Sequence, residues 1–202
     1  MPGEDAVDGM AADGTVVLFE GESDRLAFAA LARRLGRRVD QIALVDLGGI
    51  TNLRTVLGVL RAAPSARAYG LYDAAEGAYV GRVLQDLGVL AEGETDAETI
   101  GFFACTRDLE AEVIRAAGAE LVLETLAARG ELARFRVFQG QPAQRVRSVE
   151  AQLHRFAGTA AGRKARFAAD VIEALPVGQM PRPLVALLDA ALETGTASLT
   201  PR

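Results

Sequence analysis

The stretch VVLFEGESDRLAF, residues 16–28, places acidic side chains where a buried strand turns into a helix. Its apolar run ends at Glu20, and Asp24 then lies at the start of an apolar helical pattern, with Ser23 expected to cap that helix. A continuous apolar run is typical of a strand that is covered on both faces. Neighbouring carboxylates repel one another unless a cation or proton intervenes, so this strand end is a candidate functional site.

Three further apolar segments, at residues 41–47, 67–73 and 100–105, predict more strands, and helical patterns separate them. Alternating strands and helices predict right-handed crossovers and therefore a parallel sheet. After residue 118 helical patterns dominate, interrupted by an expected loop at QGQPAQ, residues 139–144. The predicted fold class is α/β: a small parallel sheet of about four strands, flanked by helices, with a C-terminal helical extension.

The organisation of the 202-residue chain follows from these patterns. No apolar run reaches the length of a membrane span, and the first residues lack the basic and apolar regions of a secretory signal. The single cysteine, Cys105, excludes an intramolecular disulfide, so a cytoplasmic location is expected. The predicted segments are a disordered N-terminus (1–14), an α/β domain (15–118), a helical extension with a basic segment (119–195) and a tail (196–202).

The net charge of −5 is distributed unevenly along the chain. Residues 129–166 contain nine Lys and Arg against two Asp and Glu, whereas residues 1–128 contain eleven against twenty-one. An acidic body with a basic segment suits a metal site beside a surface for a polyanion. A solvated, arginine-rich helical face explains the same distribution equally well, so charge alone leaves both interpretations open.

Acidic residues follow three of the predicted strands. Glu20 follows the first strand, Asp73 the third, and Asp108 and Glu110 the fourth. The carboxyl ends of parallel strands meet at one edge of the sheet, which is where ligands bind in such folds. Oxygen-rich clusters of this kind suit Mg²⁺ or Mn²⁺. For Asp24 and Asp108 taken singly, a favourable interaction with a helix dipole is the simpler interpretation.

Glu110 has an unusual place on the helix that is predicted to begin near residue 107. At about 100° per residue it falls among apolar residues, while Asp108 and Glu112 fall on the polar side. A carboxylate on a packing face favours a partner such as a metal ion. Glu112 is expected to face solvent near Arg115, and the single histidine, His154, is expected to have a structural or surface role.

The ordered motifs resemble the TOPRIM domain, the metal-binding module shared by topoisomerases, primases and the OLD-family nucleases. FEGESD (19–24) matches its glutamate–glycine motif after the first strand, and GLYDAAE (70–76) matches its aspartate motif after the third. The likeness is closest to the OLD branch and to stand-alone bacterial TOPRIM proteins often labelled ATP-dependent endonucleases. The supporting motifs are LGGITN (47–52), CTRDLEAEVIRAAG (105–118) and GTAAGRKARFA (158–168).

The resemblance covers about residues 15–175 and implies a metal-dependent nuclease that cleaves DNA with two divalent ions, Mg²⁺ or Mn²⁺. It implies catalytic roles for Glu20, Asp73 and Lys164. The implied metal ligands are Glu20, Asp24, Asp73, Asp108 and Glu110. The basic segment adds candidate contacts to the DNA backbone, with little sequence preference, from Arg145, Arg147, Arg163 and Arg166.

Two departures from the family pattern leave alternatives open. The usual D-x-D motif is Asp73-Ala74-Ala75 here, which leaves the second metal in doubt, although Glu76 lies one helical step later. No G-x-x-x-x-G-K-[ST] motif is present, so ATP dependence would need a separate ATPase partner. The alternatives are a metal-poor TOPRIM regulatory module that acts with such a partner, and a phosphoryl hydrolase that acts on nucleotides. A homodimer is compatible with either.

Overall fold

The computed structural model describes residues 14–62 and 65–193, and within them the chain forms four strands and nine α-helices. The predictions for residues 1–14 and 196–202 fall outside the described residues, Gly14 excepted. The strands are β1 (Thr15–Phe19), β2 (Ile42–Asp46), β3 (Arg67–Tyr72) and β4 (Phe102–Ala104). The helices are α1 (Glu22–Arg34), α2 (Leu53–Leu60), α3 (Gly77–Asp86), α4 (Leu109–Ala128), α5 (Leu132–Gln139), α6 (Pro142–Arg145), α7 (Val149–Ala157), α8 (Ala161–Ala174) and α9 (Arg182–Leu192).

The four strands form one parallel sheet in the order β2-β1-β3-β4. In its register Val17 of β1 pairs with Leu44 of β2 and with Tyr69 of β3. Helix α1 covers one face, and α2 and α3 cover the other, as right-handed crossovers require. The predicted α/β class is thus confirmed. The strand order reverses between β1 and β3, so the carboxyl ends of these two strands flank the crevice where ligands bind.

Two apolar cores cover the two faces of the sheet. Val17 and Phe19 of β1 belong to the first core, together with residues of α1, α4, α7, α8 and α9. Val16 and Leu18 belong to the second core, together with α2 and α3. Alternate residues of β1 therefore face opposite cores, which explains why the whole strand is apolar. The domain boundary at residue 118 stays a prediction, and helices from both sides of it contribute to the first core.

The start of α1 and the segment 139–144 differ from the expectation. Gly21 is the N-cap of α1, so Ser23 lies inside the first turn, where its hydroxyl is 3.4 Å from Asp24 Oδ1. The prediction of Ser23 as the cap was therefore wrong. Segment 139–144 contains most of the short helix α6, because a proline at the first helical position has a backbone angle that suits a helix.

Glu112 is buried, contrary to the expectation that it faces solvent. Its side chain is about 1% exposed and forms an ion pair with Arg115. Its Oε1 accepts a hydrogen bond of 2.8 Å from the backbone nitrogen of Thr106. The helical wheel assigned Glu112 to the polar face, but a wheel does not include the turn before α4. That turn folds back over the side chain and supplies the hydrogen-bond donor that its carboxylate needs. None of the helices in the described part of the chain is long and apolar enough to span a bilayer.

Gly101, which precedes β4, tolerates no side chain. Its φ is +85°, and a Cβ atom added there would lie 2.4 Å from Cδ1 of the buried Tyr69. We expect Gly101→Ala to lower the free energy of unfolding by about 2–4 kcal/mol, because it combines left-handed backbone strain with overpacking. Urea unfolding measures the loss.

The matched control for Gly101 is Gly81→Ala in α3. Apart from its chain neighbours and the backbone of its own helix, no atom lies within 4 Å of a Cβ added at Gly81. Alanine also favours a helix over glycine by about 1 kcal/mol, so this variant should be as stable as the wild type or slightly more stable. Equal unfolding curves for the two variants would contradict the close packing around Gly101.

Candidate metal centre

A cleft of about 390 Å³ opens at the carboxyl ends of β1, β2 and β3. Acidic side chains dominate its lining, and one cation faces them. We call it the carboxylate cleft. Its charged lining residues are Glu20, Glu22, Asp24, Asp46, Asp73, Glu110 and Lys164.

The backbone brings these side chains to one place. Glu20 directly follows β1, and Asp73 directly follows β3, its neighbour in the sheet. The turn after β2 lies beside Glu20, because the backbone nitrogen of Gly49 donates a hydrogen bond of 2.9 Å to the carbonyl oxygen of Glu20. The backbone nitrogen of Ala74 donates at 2.9 Å to the carbonyl oxygen of Arg107, which holds the start of α4 beside Asp73.

The acidic side chains of the cleft are close enough to affect one another's protonation. Burial, together with the charges of neighbouring carboxylates, raises the pKa of Asp24 and of Asp73 to about 7. Burial is also the main reason why the pKa of Glu20 and of Glu110 is raised. The positive charge of Lys164 partly offsets this rise in the pKa of both glutamates, so its ammonium group lies near the same cluster.

Two carboxylate oxygens in the cleft are buried and have no hydrogen-bond partner: Glu20 Oε2 and Glu110 Oε1. A buried polar atom without a partner costs free energy, more so when it carries charge. A cation between these oxygens would remove that cost. The available donors are carboxylate oxygens, which are the ligands that Mg²⁺ and Mn²⁺ prefer.

The ligand geometry is not preformed. Within residues 14–62 and 65–193, no group of three or more His, Cys, Asp and Glu side chains is placed so that it could hold a metal ion. Like charges keep carboxylates apart unless a cation lies between them. The residues of the cleft therefore fit a divalent metal by donor type, unpartnered atoms and charge, and their side chains must turn toward a common point to bind it.

Asp108 has other partners and does not line the cleft. It is the N-cap of α4, and its Oδ1 accepts a hydrogen bond of 2.8 Å from the backbone nitrogen of Ala111. Its Oδ2 lies 2.8 Å from Nε2 of His154 on α7. The ligand role of Asp108 stays a prediction. Sequence reasoning missed the pairing with His154, since no spacing connects residues so far apart in the chain.

Lys164 reaches the cleft from the first turns of α8, and it is the only lysine in the 202-residue sequence. Every other cationic side chain apart from His154 is an arginine.

Asp46 was also missed by the sequence reasoning. It is the last residue of β2, and its Oδ1 accepts a hydrogen bond of 2.8 Å from the backbone nitrogen of Gly48. Its position at a strand end is the same signal that singled out Glu20 and Asp73.

The four arginines predicted to contact DNA are dispersed. Arg145 and Arg147 are exposed around α6, and each donates from Nε to a backbone carbonyl. Arg163 is largely buried, paired with Glu131 and stacked on Phe156 at 3.8 Å. Among the described residues, none of the four lines the carboxylate cleft. Their role in DNA binding stays a prediction.

Removing one charge from the cluster should stabilise the metal-free protein. Because the pKa of Asp24 is raised from 3.8 to about 7, the folded state binds a proton that the unfolded state releases over that range. The contribution of Asp24 to the free energy of unfolding therefore falls as the pH rises from 4 to 7. We expect Asp24→Asn to raise it at pH 8 by about 1 kcal/mol, a value reduced for the partial exposure of the side chain, and the melting temperature by about 2–4 °C.

Calorimetric melting in EDTA at pH 8 and pH 5 measures the effect of Asp24→Asn. The gain should shrink at pH 5, because the wild-type side chain is then largely protonated. A loss of stability at pH 8, or the same gain at both pH values, would show that Asp24 does not carry this repulsion.

The fold is TOPRIM-like. In its parallel sheet, a glutamate after β1 and an aspartate after β3 flank the point where the strand order reverses. The match to known families agrees: residues 14–73 fit the family "Overcoming lysogenization defect protein-like, TOPRIM domain". The region that contains Glu20 and Asp73 is therefore similar to a TOPRIM domain of the OLD type. That match ends at Asp73, so Glu110 and Lys164 lie outside it.

Solved structures with the same fold extend the likeness over most of the chain. The C-terminal region of the OLD protein from Xanthomonas campestris pv. campestris is 23% identical, with a TM-score of 0.62, over 89% of this chain and 94% of that one. The corresponding region from Burkholderia pseudomallei is 17% identical, with a TM-score of 0.63, over 88% and 96%. These likenesses establish the fold, including the C-terminal helices. A search of curated protein sequences gave no match.

Proposed function

We propose that this protein is a divalent-metal-dependent nuclease that hydrolyses DNA phosphodiester bonds at the carboxylate cleft. The observation that carries the proposal is the pair of buried, unpartnered oxygens of Glu20 and Glu110 in a cleft shared with Asp24, Asp73 and Lys164. The OLD-like TOPRIM match supports a nuclease-type family. Two divalent ions, Mg²⁺ or Mn²⁺, would activate water and stabilise the leaving oxygen in such a reaction.

The side chains of the cleft have distinct parts in this proposal. Glu20, Asp73 and Glu110 come from three different elements and would hold the metal from three sides. Asp24 lies in the first turn of α1 and would orient this shell. Lys164 would donate hydrogen bonds to a phosphate oxygen as negative charge develops there. With a pKa of about 7, Asp24 and Asp73 are partly protonated near pH 7, and a cation that binds would displace the proton.

DNA would be held by its backbone. Arg145 and Arg147 present exposed guanidinium groups, and the sequence contains no tryptophan for base stacking. In the proposal the protein can also act with a separate ATPase partner and can form a homodimer.

Supercoiled plasmid incubated with the purified protein tests the proposed activity. Nicked or linear product should form with Mn²⁺ or Mg²⁺ and should not form in EDTA. Parallel reactions with an oligonucleotide and a mononucleotide phosphate identify the substrate class. Turnover of the mononucleotide alone would replace the nuclease by a phosphoryl hydrolase, and no turnover of any substrate would contradict both.

A regulatory TOPRIM module is the second candidate, and two observations favour it. Ala75 stands where the family's second aspartate is usual, and no ligand set is preformed in the described residues. The neighbouring Glu76 is near enough to raise the pKa of Glu20 and Asp73, so an acid is available close to that place. Calorimetric titration separates the candidates, because a regulatory module should give no binding heat with Mn²⁺ at millimolar concentration.

A further inference from the structure

His154 lies on α7, and its imidazole contacts the carboxylate of Asp108 at the start of α4. Its Nε2 is 2.9 Å from Oδ1 and 2.8 Å from Oδ2 of Asp108, so one ring nitrogen bridges both oxygens. The other ring nitrogen, Nδ1, lies 3.4 Å from Nη2 of Arg107. The contact therefore fixes the plane of the carboxylate that begins α4.

The first turn of α4 supplies Glu110 to the carboxylate cleft. Asp108 is the N-cap of the helix, and its Oδ1 accepts a hydrogen bond of 2.8 Å from the backbone nitrogen of Ala111. A side chain that caps a helix in this way fixes the backbone of the first turn. The direction of the Glu110 side chain therefore depends on where Asp108 is held.

Two backbone hydrogen bonds tie the segment before Asp108 to the end of β3. The backbone nitrogen of Cys105 donates at 2.9 Å to the carbonyl oxygen of Tyr72, and that of Ala74 donates at 2.9 Å to the carbonyl oxygen of Arg107. These bonds end at Arg107, one residue before the helix cap. His154 then holds the cap itself through the side chain of Asp108.

Helix α7 is a firm support for the imidazole. Leu153 and Phe156, on either side of His154 in the chain, are 0% and 3% exposed and belong to the first core. Nε2 of the buried Gln152 donates a hydrogen bond of 3.1 Å to the carbonyl oxygen of Arg147, just before the helix. A contact from a helix that is anchored in this way restricts small shifts of the turn that it touches.

The pair of His154 and Asp108 contributes more to position than to stability. The two side chains are 21% and 19% exposed, and a partly solvated pair adds little to the free energy of unfolding. Both oxygens of Asp108 have partners, whereas Oε1 of Glu110 is buried and has none. One carboxylate is therefore held in place, and the other is available to a cation.

We propose that His154 is a positioning residue of the metal centre: by holding Asp108 it fixes the first turn of α4 so that Glu110 faces the ion. This inference rests on the proposed function, which gives Glu110 a divalent ion to bind. His154 acts through Asp108 and contacts neither the ion nor the substrate. Groups that hold metal ligands in place typically change metal affinity by about 10–100-fold when they are removed.

Calorimetric titration of the 202-residue protein with Mn²⁺ tests the role of His154. His154→Ala should weaken Mn²⁺ binding about tenfold. His154→Gln should recover most of the affinity, because its side-chain amide also donates a hydrogen bond. The matched control is Arg155→Ala, which removes an exposed cation from the next position of α7 and should bind Mn²⁺ as tightly as the wild type.

Amide hydrogen exchange in EDTA gives a readout that needs no metal. In His154→Ala the amide of Ala111 should exchange about tenfold faster, since the carboxylate that accepts its hydrogen bond is no longer fixed. The amide of Val17, in the central strand β1, should exchange as in the wild type. A variant that had only lost global stability would show faster exchange at both amides.

Each failure has a distinct meaning. If the wild type and His154→Ala bind Mn²⁺ equally tightly, the positioning role is overturned and the metal centre stands. The role is also overturned if Ala111 exchanges at the wild-type rate in His154→Ala, if Val17 is accelerated as much as Ala111, or if Arg155→Ala weakens Mn²⁺ binding to the same extent. No Mn²⁺ binding by the wild type would contradict the proposed function, and the positioning role with it.

Discussion

Glu20→Gln should reduce metal-dependent DNA cleavage by about 10³-fold or more, which corresponds to about 4 kcal/mol of transition-state stabilisation. The glutamine amide keeps the size of the side chain and removes the charge that would hold the metal. Glu20 is the acid most central to the site, because it ends β1, lies beside the reversal of strand order and has a buried oxygen without a partner. Initial rates of plasmid nicking in Mn²⁺ measure the loss.

Glu92→Gln is the control for this variant, because Glu92 is an exposed acid in the loop after α3 and does not line the cleft. It should cleave DNA at the wild-type rate. The Glu20 variant should also melt no lower than the wild type in EDTA, since the substitution relieves repulsion among the acids. Persistent cleavage by Glu20→Gln would place the activity at another site or in a contaminant.

Lys164→Ala should lower kcat for cleavage by about 10²-fold or more, with a smaller change in KM. The reason is that its ammonium group, in the same cleft as the carboxylates, would stabilise charge that develops only in the transition state. Lys164→Arg should recover only part of the activity, since a planar guanidinium does not replace a compact ammonium charge. Single-turnover cleavage rates at saturating DNA measure both variants.

A matched control for Lys164 is Arg61→Ala, an exposed cation next to α2 on the opposite face of the sheet. It should leave the cleavage rate unchanged. Because Lys164 is the only lysine, acetylation of lysine amines provides an independent test without mutation. Acetylated protein with full activity would show that the ammonium group has no part in the reaction.

The sheet and the strand-end acids were accessible from the sequence because they depend on local patterns. An apolar run such as residues 15–19 predicts a strand covered on both faces, and parallel strands bring their carboxyl ends together whatever the details of packing. Glu20 and Asp73 were therefore predicted to meet, and both line the carboxylate cleft. Residue 118, the predicted end of the α/β domain, is a glycine whose φ of +69° kinks α4 at that residue.

The side-chain partners were not accessible in the same way. Asp108 meets His154 only because α7 packs beside the start of α4, and no local pattern fixes that contact. The burial of Glu112 depends on a turn that folds back to donate from Thr106. Similarly, the sequence shows that Arg163 lies in a basic segment, but the structure pairs it with Glu131, 32 residues earlier in the chain. Long-range packing decides which charges remain free.

A crystal structure of the protein with bound Mn²⁺, recorded at a wavelength that gives anomalous scattering from manganese, tests the metal centre most directly. An anomalous peak should appear in the carboxylate cleft, within about 2.0–2.3 Å of oxygens from Glu20, Asp73 and Glu110. Two peaks about 3.5–4 Å apart would support two-metal hydrolysis. Crystals soaked at millimolar Mn²⁺ that show no peak in this cleft, with the three carboxylates still turned apart, would contradict a metal-dependent function.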